Sequence, residues 1–82
     1  MKMILMKSAN DNKSYRIFEK LGIDTCRLED LEKTDEKLTE FVKEKYTTII
    51  MTNEVAGFSE NIIKKYKKSE NVNIYITPDK KY

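Results

Sequence analysis

The feature that most constrains this chain is a regular exchange between two apolar patterns. Residues 3–6, Met-Ile-Leu-Met, form a continuous apolar run between Lys2 and Lys7. Such a run fits a strand buried on both faces. Residues 46–51, Tyr-Thr-Thr-Ile-Ile-Met, are aromatic, β-branched and uninterrupted, and predict the central strand of a sheet. Two weaker strands are predicted over 23–28, Ile-Asp-Thr-Cys-Arg-Leu, and 72–76, Val-Asn-Ile-Tyr-Ile. The charges in the first of these suggest a sheet edge, and Pro78 ends the second because proline cannot continue a central ladder.

Between these runs the apolar spacing turns helical. Ile17, Phe18 and Leu21 share a helix side, and Gly22 supplies the left-handed residue that closes the helix. Leu38, Phe41 and Val42 make the second stripe, with Thr34 as the expected N-cap and Asp35 and Glu36 in the acidic first turn. Val55, Phe58, Ile62 and Tyr66 make the third, with a break expected at Gly57 or Ser59. The order is β-α-β-α-β-α-β, which implies right-handed crossovers and a parallel sheet. The expected fold is α/β: four parallel strands in the order 2-1-3-4, helices on both faces, flavodoxin- or receiver-like in its Rossmann-type topology. Residues 1–82 are expected to form one domain with a small core.

Composition removes several chemistries. With no His and one Cys, neither a Ser-His or Cys-His dyad nor a typical zinc site can be built. The loop after the first strand, Ser8-Ala9-Asn10-Asp11-Asn12, has no glycine to let a backbone approach a pyrophosphate, so no nucleotide cofactor is expected. A phosphoacceptor site needs an Asp after the third strand, where the sequence reads Met51-Thr52-Asn53. Cys26 is expected to pack in or near the core. No metal site and no catalytic residue is expected.

Charge is unevenly placed on a chain of net charge +2. Residues 28–58 carry four Lys against eight acids, while the flanks 1–27 and 59–82 each carry six basic residues against three acids. A nucleic-acid binder usually shows a larger basic excess, so none is expected as a partner. No apolar run approaches the ~20 residues that span a bilayer, and the N-terminal MKMILMK is too short and too charged for a signal peptide. The expectation is a cytoplasmic protein without direct membrane insertion; its charge blocks read first as the solvated faces a small domain needs, and alternatively as a two-signed surface that orients it on a larger partner.

Three segments resemble a known family. Asp11 followed by Phe18-Glu19-Lys20-Leu21-Gly22-Ile23 is similar to the start of the F subunit of the V-type and archaeal-type rotary ATPases. Thr48-Ile49-Ile50-Met51-Thr52-Asn53-Glu54-Val55-Ala56 resembles that family's third strand running into I-T-E-x-[IV]-A. Ile76-Thr77-Pro78-Asp79-Lys80 resembles its closing I-P-x-K. The chain reads as a short form, since family members generally continue past the fourth strand into a C-terminal helix and this sequence stops at Tyr82.

The resemblance implies a non-catalytic accessory subunit of the central rotor stalk. Its partner would be the coiled-coil stalk protein of the D type, and its role would be to help couple ATP hydrolysis or synthesis to proton or sodium transport. It would then lie peripheral to a membrane complex. The alternative reading is a receiver-like signalling or protein-interaction domain without a phosphoacceptor. Recognition in open α/β sheets gathers at the carboxyl ends of the strands. The expected partner contacts there are Thr52, Asn53, Glu54, Asp79 and Lys80, with Val55 and Phe58 as apolar anchors.

Overall fold

The computed structural model describes residues 2–11 and 16–77. Its four strands are β1 (Met3–Ser8), β2 (Asp24–Leu28), β3 (Thr48–Thr52) and β4 (Asn73–Thr77). They form one all-parallel sheet in the order β2-β1-β3-β4. The helices are α1 (Arg16–Lys20), α2 (Thr34–Lys43), α3 (Asn53–Ala56) and α4 (Glu60–Lys67), and a 3-10 turn (Leu31–Lys33) leads into α2. This is the α/β architecture and strand order that the apolar pattern predicts.

Register assigns each strand residue to a face. Ile4 pairs with Ile49, Met6 with Met51, and Ile49 with Ile74. These residues join Leu28, Leu38, Val55, Ala56, Ile63 and Val72 in one buried cluster, so α2, α3 and α4 cover this face. The opposite face presents Leu5, Lys7, Ile50 and Tyr75, and α1 lies against it. Right-handed crossovers impose this division of helices when the first connection runs one way along the sheet and the next two run the other way.

The two best-defined helix ends are Schellman motifs, in which a left-handed residue lets the chain turn and satisfy the last carbonyls. After α1, Gly22 has φ 83°. Its N–H donates to the Glu19 carbonyl, and the Ile23 N–H donates to the Phe18 carbonyl, both at 3.1 Å. After α2, Lys45 takes the left-handed position at φ 70°. The Lys45 N–H donates to Val42 and the Tyr46 N–H to Phe41, again at 3.1 Å. The Phe41 and Tyr46 rings then meet edge to face with centroids 5.5 Å apart. This is the apolar contact that the motif usually carries.

Several boundaries and faces differ from the expectations. Tyr46 is spent on closing α2, so β3 begins at Thr48 and runs to Thr52. Thr34 is not the cap: Asp30 accepts from the Glu32 N–H and starts the 3-10 turn, leaving Thr34 buried as the first residue of α2 with its hydroxyl donating to the Leu31 carbonyl at 2.6 Å. Lys7 does not bound β1 but lies within it, fully buried. Its Nζ lies 3.6 Å from Glu19, which also holds Arg27 at 2.7 Å. This ion cluster turns Glu19 towards the sheet. Residues two apart on a helix lie on nearly opposite sides, so Ile17 and Leu21 face outwards at 63% and 69% exposure.

Candidate partner interface

β3 passes straight into α3. Thr52 keeps an extended backbone while its side-chain oxygen accepts from the Val55 N–H in a long bond of 3.4 Å, the connectivity of an N-cap. The cap seats α3 at the carboxyl end of the sheet, packed against β1, β3 and β4. Val55 and Ala56 go into the core, and Asn53 and Glu54 remain on the surface.

The break expected at Gly57 or Ser59 occurs over residues 57–59. Ser59 is buried, and its hydroxyl donates to the Asp35 carboxylate at the start of α2. Its carbonyl accepts from the Ile63 N–H at 2.9 Å, fixing the first turn of α4. Ser59 faces inwards, and the adjacent Phe58 is directed to solvent at 51% exposure. A large aromatic held outwards on a turn that is fixed from both sides is preorganised for contact, since little freedom is lost on binding.

The expected contacts therefore divide. Thr52, Asn53, Glu54, Val55 and Phe58 form one continuous segment at the rim of the sheet. Val55 is fully buried, so it supports the segment and cannot be a surface anchor. Helical spacing had grouped it with Phe58, but the helix break separates their environments. Thr52 is also buried, and its hydroxyl is occupied as a cap. Asp79 and Lys80 lie outside the described residues.

The sequence did not single out Ile76, which is 37% exposed and lines an open groove with Asn53, Ala56, Gly57, Lys64 and Lys67. The groove has a volume of about 430 Å³. One signal for it was available: residues 71–78 contain no charged side chain, so the last strand was bound to leave apolar surface near the lysines of α4.

The electrostatics follow the helices. α2 exposes Asp35, Glu36 and Glu40, whereas α4 ends in Lys64, Lys65 and Lys67. Both helices lie on the same face of the sheet, so acidic and basic surfaces are neighbours. Cys26 packs against the core beneath α2. Burial pushes its thiol above the ordinary range, with nearby Lys37 opposing and Glu40 adding to the rise. A thiol so placed is a poor nucleophile. Among the described residues no three His, Cys, Asp or Glu side chains converge as metal ligands, and no helix is long and apolar enough to cross a membrane.

Comparison with curated proteins and with solved structures gives no match. Comparison with protein-family models matches residues 9–82 to the ATP synthase (F/14-kDa) subunit. The match spans all four helices and three of the four strands in full, and it includes the segment from Thr52 to Phe58. This chain therefore belongs to the family of the ATP synthase (F/14-kDa) subunit, the F subunit of V-type ATPases.

Proposed function

We propose that this protein is a non-catalytic accessory component of the central rotor stalk, docking on a coiled-coil stalk protein of the D type and helping to couple ATP hydrolysis or synthesis to ion transport. The family match over residues 9–82 carries this reading. The exposed Phe58 on its fixed turn, with Asn53 and Glu54 one helical turn before it, supplies a contact suited to the task. A coiled coil has no sheet edge and offers side chains alone. Its partner must bind it by side chains, with most of the energy in a few buried aromatic or apolar groups.

Phe58→Ala should weaken binding to a D-type coiled coil by about 2 kcal/mol, and Lys68→Ala, on the exposed end of α4, by less than about 0.5 kcal/mol. Titration calorimetry with the coiled-coil protein, paired with thermal melts of both variants, reads the two effects separately. Unchanged binding by a folded Phe58→Ala protein removes this face from the interface.

A further inference from the structure

The two edges of the sheet are built differently. β2 carries exposed charges at Asp24 and Arg27, the usual guard against pairing with another strand. β4, Asn73-Ile74-Tyr75-Ile76-Thr77, has no charge, no proline and no bulge, and exposes Tyr75 at 58% and Ile76 at 37%. Among the described residues no strand pairs with its outer side. The Asn73 N–H donates to the Thr47 carbonyl at 2.8 Å, so Asn73, Tyr75 and Thr77 direct their backbone groups to β3. Alternation then directs the N–H and C=O of Ile74 and Ile76 to the free edge.

We propose that the outer edge of β4 is an augmentation site for an extended protein segment that carries acidic side chains at alternate positions. An added strand would place every second side chain on the α4 side of the sheet. Lys67 stands there at the junction of two grooves, one lined also by Glu60, Ile63, Lys64 and Ile76, where two lysines outweigh one acid, the other by Ser69, Val72 and Ile74. Among the described residues neither Lys64 nor Lys67 has a carboxylate partner. Acids on that side of the incoming strand meet these lysines, and apolar residues on the other side cover the Tyr75 ring. The same charges exclude a second copy as occupant. Two β4 edges paired about a two-fold axis would bring both α4 helices to one face and set Lys64 and Lys67 against their own copies, a like-charge contact that costs affinity. This site adjoins the coiled-coil contact at Phe58, since Asn53 and Gly57 also line the groove beside Lys64, but it differs in using the backbone groups of β4.

The test uses the whole protein and a capped peptide of alternating Glu and Val. Amide-resolved NMR should show binding that slows hydrogen exchange selectively at Ile74 and Ile76. Lys64→Glu combined with Lys67→Glu, two surface changes, should weaken the peptide about tenfold. Ile76→Pro should abolish binding while keeping the β3 ladder, since its N–H points away from β3; a thermal melt checks that this variant is folded. Equal binding of a Lys/Val peptide, or no protection at Ile74 and Ile76, overturns the proposal. So does protection of those amides before any peptide is added, or a dimer in sedimentation that Ile76→Pro dissolves.

Discussion

Replacing Ile50 with aspartate tests the placement of β3 most directly. Ile50 lies on the α1 face of the sheet, 8% exposed, between Leu5 on β1 and Tyr75 on β4. Removing its side chain from this site forfeits about 2 kcal/mol of apolar burial. The carboxylate adds several kcal/mol more, because its register partners Leu5 and Tyr75 carry no charge and the buried Lys7 on this face is already held by Glu19. The total, about 4–6 kcal/mol, is comparable with the whole stability of roughly 4–12 kcal/mol expected for a domain of this length. The variant should be unfolded at 25 °C or melt at least about 20 °C lower than wild type.

Ile50→Val and Ile50→Asn separate the contributions. The first should cost about 1 kcal/mol, a fall of about 4–8 °C in melting temperature. The second removes similar apolar surface without adding charge. Burial raises the folded-state pKa of the introduced carboxyl above its unfolded value of about 3.9. Its penalty is therefore absent below that pH and grows as pH rises towards the folded-state pKa. Ile50→Asp should approach Ile50→Asn at pH 4 and fall well below it at pH 7 in circular-dichroism melts. A cooperative melt of Ile50→Asp within a few degrees of wild type at pH 7 would refute the burial of this face.

Three further outcomes follow from the structure. Lys45 holds a left-handed backbone that favours glycine, so Lys45→Gly should raise stability by up to about 1 kcal/mol, while Gly22→Ala, at the equivalent place after α1, should lower it by a similar amount; urea titration measures both. The folded protein holds the Cys26 thiol neutral beyond its ordinary value of 9.0, whereas the unfolded chain ionises there; the contribution of Cys26 to stability should be constant well below that pH and decline above it, and Cys26→Val should remove that part of the decline. Calorimetric titration of ATP into the protein should show no stoichiometric micromolar site, and one that appears would contradict the reading of the glycine-free sequence at residues 8–12.

Local pattern was enough for the architecture. The run at Met3–Met6 and the Thr48–Met51 part of the run at 46–51 are apolar and β-branched enough to mark buried strands, and helical spacing between strands points to parallel crossovers. Gly22 was legible as a helix terminator because its chemistry acts within one turn of chain. The segment Thr52–Phe58 was legible as part of the rim because it follows the strongest strand. Tertiary structure decided which of its residues reach solvent. Val55 and Phe58 sit three apart on what reads as one stripe, but the inward Ser59 and its bond to Asp35 break the helix and part them. Ile17 and Leu21 read with Phe18 as one helix side, and only the pairing of β1 with β2 brings Lys7 and Arg27 beneath Glu19 and turns Ile17 and Leu21 outwards. The outer edge of β4, unpaired among the described residues, belongs to neither level alone. The sequence leaves the strand without charges, but an edge exists only once the order β2-β1-β3-β4 puts that strand last. Sequence periodicity assigns a residue to a side of its own element, and the packing of that element against the others determines whether that side meets water.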